Sequence, residues 1–67
     1  METGRAMIER GEIIGSQTGG YQVKSMDRYG IVTPPIEPIH DTMTFSVGDM
    51  VYYFAFPDGT GRIICGI

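Results

Sequence analysis

His40 and Asp41 stand side by side in "PPIEPIHDTM", and His40 is the one histidine of the chain. An aspartate that orients an imidazole and stabilises its cation is half of a nucleophile triad. Adjacent residues seldom reach that geometry, and no nucleophile is marked nearby. The pair is expected on an exposed loop, without catalytic work. Cys65, the single cysteine, lies between Ile64 and Gly66. A free cysteine in such a run packs as a small hydrophobe, so burial is expected. Asp27, Asp41, Asp49 and Asp58 all fall at turn-forming phrases, where aspartate bonds to nearby backbone. One histidine and one cysteine exclude both a His/Cys zinc cluster and an internal disulfide. "GTG" and "TGG" precede no Gly-Lys-Ser/Thr phrase and no helix, so they read as turns rather than phosphate loops. No catalytic, cofactor or metal site is expected, and the chain does not read as an enzyme.

The remaining candidates are aromatic. In "DMVYYFAF" one strand face would carry Val51, Tyr53 and Ala55, and the other Met50, Tyr52, Phe54 and Phe56. A half-solvated strand shows polar residues on its outer side, and this one shows none. A small barrel has one interior, so only one set can fill it. With Val51, Tyr53 and Ala55 inside, Tyr52, Phe54 and Phe56 stand outside as an intermolecular contact. Each can bury roughly 150–250 Å², and monomers rarely leave such patches open. The competing expectation is that the proline-rich segment or the N-terminal arm folds over them. Both faces of "GRIICGI" are also apolar apart from Arg62, with Ile63, Cys65 and Ile67 on one side.

The elements that must position these residues are short. Ten glycines and four prolines interrupt every candidate helix, and β-prone runs between turn signals indicate an all-β barrel or sandwich. "MIERGEIIGSQ" (7–17) reads as a curled strand, with Gly11 and Gly15 marking bends or a bulge. A helix over 5–13 is the competing reading. "TGG" is a turn. "YQVKSM" alternates with period two, placing Tyr21 and Val23 inside. "DRYG" has type I turn chemistry. "IVTPPIEPIHDTM" starts as a strand, and its prolines then impose a stiff connection over residues 34–44. "PDGTG" joins the last two strands as a hairpin. Five strands with a long third-to-fourth connection suit a small OB-like barrel, with an SH3-like barrel as the alternative. Residues 1–6 are expected as a flexible extension and 7–67 as a single domain.

Size and charge narrow the function classes. Sixty-seven residues bury a thin core, and domains this small commonly rely on disulfides, a metal or oligomerisation. With the first two excluded, a homo-oligomer, trimeric or higher, is the expected remedy. A net charge of −3 and five scattered cations make a poor phosphate-binding surface, so nucleic acid is an unlikely partner. No run approaches the roughly 20 apolar residues of a membrane helix, and the N-terminus lacks a signal-peptide core. A cytoplasmic protein with a reduced Cys65 is expected.

"GEIIG…YQVKSMDRYGIVTPPI…FSVGDMVYYFAFPDGTGRIICGI" resembles the small OB-fold domains of phage tail and baseplate proteins and of related contractile-injection spikes. Gly11, Ile13, Tyr21, Val23, Val47, Gly48, Asp49, Val51, Phe56, Asp58, Gly59, Gly61, Ile63 and Gly66 carry the likeness, across roughly residues 10–67. The resemblance puts Val51, two residues after Asp49, in the core. It implies a non-enzymatic structural protein: a prophage tail, baseplate or connector component, assembled in the cytoplasm with copies of itself or other tail proteins. No needle-like segment follows Ile67, so a piercing role is not expected. An OB-fold could instead bind single-stranded nucleic acid or an oligosaccharide, with Tyr52, Phe54 and Phe56 stacking on the ligand.

Overall fold

The computed structural model describes residues 7–67; the expected extension over residues 1–6 lies outside the described residues. Five strands form one curled sheet: β1 (Met7–Gln17), β2 (Gly20–Ser25), β3 (Glu37–Pro38), β4 (Met50–Ala55) and β5 (Gly61–Gly66). Their order is β2-β1-β4-β5-β3. Antiparallel bridges from Tyr21 to Ile36 and from Lys24 to Val32 join the two ends. The result is an all-β curled sheet of five strands with one parallel pair, β3–β5, consistent with a small OB-like or SH3-like barrel.

β1 is long because it serves two neighbours. Residues Met7–Glu12 pair with β4, and Gly11–Gln17 pair with β2. The strand changes partners at Gly11, which is buried. A Cβ there would overlap the Val23 side chain and come within 2.9 Å of the Tyr53 ring. A register shift between Ile13 and Gly15 supplies the bulge that curls the wall.

The proline-rich segment is more ordered into the sheet than its composition suggests. A third strand was expected to begin at Ile31 and give way to a connection over 34–44. Instead the chain holds β2 through alternate residues: the Thr33 amide donates to the Val23 carbonyl, and Tyr21 and Ile36 exchange both backbone bonds. The regular strand lies further on, where Glu37 and Pro38 run parallel to Arg62 and Ile63. Pro38 has no amide to give, and the Ile39 amide donates to the Ile63 carbonyl instead. The "DRYG" turn is also displaced by one residue. It runs from Arg28 to Ile31. Gly30 at φ +79° occupies its third position, which is type II geometry rather than type I. The β4–β5 hairpin forms as expected, with Gly59 at φ +92° as its left-handed residue.

The core is small. Ile13, Val23, Ile36, Val51, Tyr53 and Ile63 are buried, with Tyr21, Phe45 and Ala55 packed against them. The inward assignments of Tyr21, Val23, Val51, Tyr53 and Ala55 therefore agree with the structure. Tyr21 packs edge-to-face on Phe45 at 5.6 Å, and its hydroxyl accepts the Phe45 amide.

Candidate functional site

The outer face of β4 carries the three aromatics singled out in the sequence. Each of its inward residues already fills the lumen, so period-two alternation turns Tyr52 and Phe54 outward. Tyr52 is exposed, while Phe54 and Phe56 are half-buried. Phe54 and Phe56 pack edge-to-face at 5.8 Å, a favoured aromatic geometry. Phe56 lies one residue beyond β4, where its amide donates to the Thr60 carbonyl and opens the hairpin loop.

Neighbouring strands extend this face. Across the sheet, Ile8 and Arg62 flank Phe54, and Arg10 and Cys65 flank Tyr52. Ile8 is 70% exposed. It was missed in the sequence because "MIERGE" mixes apolar and charged residues on both faces. Pro34 and Val32 border one concavity with Phe56, but the concavity beside Phe54 is bordered by Phe56, Thr60, Gly61 and Arg62.

Cys65 departs from its expected burial: it is exposed. The cause is a bulge. Tyr53 pairs with Ile63 but Tyr52 pairs with Cys65, so Ile64 is the extra residue. Two residues opposite one reset the alternation, and Cys65 follows Tyr52 to the outer face. We expect Cys65 of the dilute folded protein to react with a maleimide without denaturant. Loss of that reactivity on concentrating the protein, read by mass spectrometry, would report burial of the same face.

The other groups with chemical potential are dispersed. His40 and Asp41 are exposed, and neither side chain makes a hydrogen bond to a described residue. Asp49 accepts the Ser46 amide at 2.8 Å, and Asp58 accepts the Thr60 amide and hydroxyl at 3.0 and 2.7 Å. Those bonds hold the Asp58 carboxyl below its ordinary value. Both residues are turn-makers. Asp27 does more, pairing with the Arg10 guanidinium at 2.7 Å and accepting the Arg10 amide at 2.9 Å. Among the described residues no three His, Cys, Asp or Glu side chains gather into a metal-binding group.

One polar cluster had no signal in the sequence. Glu9 points into the end of the barrel and is buried. Its Oε1 accepts from the Tyr53 hydroxyl at 2.7 Å, the Ser25 hydroxyl at 3.2 Å and Arg28 Nη2 at 3.3 Å. Its Oε2 meets Arg28 Nε at 2.6 Å. Burial pushes the Glu9 carboxyl up, but the bonds from Tyr53, Arg28 and Ser25 and the Arg28 charge together hold it below its ordinary value. Tyr53 is pushed up, first by burial and then by its bond to Glu9. The Ser25 hydroxyl also accepts the Asp27 and Arg28 amides, which fixes the turn that follows β2. The cluster is a polar plug that ties the 26–30 turn to the barrel wall. Arg28 pairs the Glu9 charge, although the buried Oε2 accepts no hydrogen bond of good geometry.

Compared with known protein families, curated proteins and solved structures, the chain matches none of them. No helix among the described residues is long and apolar enough to cross a membrane.

Proposed function

We propose that the chain is a non-enzymatic assembly module that self-associates through the outer face of β4, as a small component of a tail- or baseplate-like particle put together in the cytoplasm. The observation that carries this reading is the aromatic row Tyr52, Phe54 and Phe56 outside a barrel wall whose inner row, Val51 and Tyr53, already completes the core. Tyr52 is exposed and Phe54 and Phe56 are half-buried, so part of this outward row is left for another surface to cover. Ile8, 70% exposed beside Phe54, widens the same patch. The cations bordering it argue for a protein partner over a nucleic-acid strand. Arg10 is committed to Asp27 and Arg28 to Glu9, leaving Lys24 and Arg62 as cations without an ion pair to a described residue. Two dispersed charges among the described residues give little counterion release.

Phe54→Asp tests the reading. We expect the wild type to exceed monomer mass by light scattering, and the variant to fall to monomer mass with its far-UV circular dichroism unchanged. Monomeric wild-type protein, combined with oligonucleotide binding that weakens steeply with salt, would replace assembly with the binding-module reading.

A further inference from the structure

The far end of the barrel holds a second apolar feature, which shares Phe56 with the β4 face. The turn after β2 exposes Met26 (53%), Tyr29 (103%), Ile31 (40%) and Val32 (44%). Tyr29 touches nothing of its own chain to any useful extent. Beside it lies an open cavity of about 330 Å³, walled by Ile31, Val32, Pro34, Phe56 and Pro57 with Arg28 at its edge. A projecting ring and an apolar hole therefore sit next to each other on one end of one molecule.

The tip is rigid despite its exposure. The Met26 amide donates to the Arg10 carbonyl, and the Arg10 amide donates to Asp27. Arg28 is anchored on buried Glu9, and Ser25 caps both following amides. A knob held this way enters a partner without the cost of ordering a loop. Charge points the same way. The chain is acidic overall, with a net −3. At the tip, Asp27 and Arg28 are each neutralised by a residue of β1, Arg10 and Glu9 respectively. Two identical tips can therefore meet without like-charge repulsion.

The geometry points to a second copy of this chain as the occupant: a two-fold contact in which Tyr29 of each copy enters the Phe56-walled cavity of the other. A knob beside its own matching hole is self-complementary under two-fold rotation. Two tyrosines bury roughly 300–500 Å² between them. Met26, Ile31, Val32 and the cavity walls extend that toward the roughly 1,000 Å² a specific interface needs. The contact rests on the assembly reading and adds a second surface to it, separate from Tyr52 and Phe54. Two surfaces allow an assembly to grow beyond a closed pair.

The test compares sedimentation equilibrium of the wild type, Tyr29→Ser and Phe54→Asp, with a photo-crosslinking phenylalanine analogue placed at position 29 in a mixture of ¹⁴N and ¹⁵N protein. Tyr29 is fully exposed, so Tyr29→Ser should leave thermal stability unchanged. The expected result is a mass reduced by one association step, with a dissociation constant raised about 30-fold, as for an aromatic interface anchor. Mixed-isotope crosslinks should fall on Val32, Pro34 or Pro57. Unchanged association of Tyr29→Ser, or crosslinks only to the β1–β4 face, would overturn the tip contact while leaving the strand-face reading intact. Unchanged association of Phe54→Asp with a weakened Tyr29→Ser would do the reverse. A wild type that stays monomeric at millimolar concentration overturns both.

Discussion

Gly20→Ala should lose about 3–5 kcal/mol of stability, enough to unfold a large fraction of so small a domain at room temperature. Gly20 has φ +132°, a backbone region that side chains rarely tolerate. The next residue, Tyr21, exchanges both backbone bonds with Ile36, at 2.8 and 2.9 Å. A Cβ at position 20 would overlap the Ile36 carbonyl itself, a backbone group that cannot swing aside as a side chain would. Left-handed strain costs about 1–3 kcal/mol, and forcing apart a packed contact costs about as much again. Typical domains hold only about 5–15 kcal/mol in total. The damage should be local to barrel closure. Urea denaturation should show the loss, and hydrogen exchange should show the Tyr21 and Ile36 amides exposed first. Gly19→Ala is the control: its φ is +98°, but nothing lies within 4 Å of its Cβ, so only the strain remains. Equal losses for the two variants would mean that the approach of Ile36 does not close the barrel.

Tyr53→Phe should cost about 2 kcal/mol, the worth of a buried hydrogen bond to a charged group. The ring stays and fills the same core volume, so the loss isolates the hydroxyl that donates to Glu9 at 2.7 Å. The effect should depend on pH in a defined sense. In the folded protein the Glu9 carboxyl lies below its ordinary value, since the bonds it accepts outweigh its burial. A depressed carboxylate contributes stability that is present above the unfolded pKa, about 4.3 for glutamate. That contribution is lost as pH falls through the folded pKa. Removing the Tyr53 hydroxyl narrows the gap between the two pKa values. The variant should therefore show its full deficit near neutral pH, and its curve should converge on the wild type in acid. Asp27 and Asp58 are also depressed, Asp27 by Arg10 and Asp58 by Thr60. They are common to both proteins and cancel in the comparison. A deficit that stays constant down to pH 2 would show that the hydroxyl acts through packing and not through the charged carboxylate.

The amino-acid sequence by itself settled the matters that depend on near neighbours. Glycine and proline spacing left no room for a long helix, with 5–13 the one competing helical reading, which the structure replaces with β1 from Met7 onward. Period-two alternation put Val23 inside and sorted β4 into a Val51–Tyr53 face and a Tyr52–Phe54 face, because successive side chains of a strand must oppose each other; which of those two apolar faces turns inward followed only from the resemblance. Asp49, Asp58 and Gly59 declared their turns through chemistry confined to two or three residues. The aromatic face of β4 was legible for the same reason. The tertiary structure alone decided what depends on residues far apart in the chain. Cys65 faces outward because a bulge opposite Tyr52 and Tyr53 resets the alternation, and the bulge is a property of two strands together. Glu9 is buried because β1 carries it to the Tyr53 hydroxyl, 44 residues away, a partner no local pattern announces. The strand at Glu37–Pro38 exists because β5 offers carbonyls there, although three prolines argue against any strand. The exposed Tyr29 beside its cavity is likewise a product of closure, since Val32, Pro34, Phe56 and Pro57 meet only when the ring is complete. Local chemistry chooses turns and faces; which faces then meet is fixed by long-range pairing, whose free energy no single segment contains.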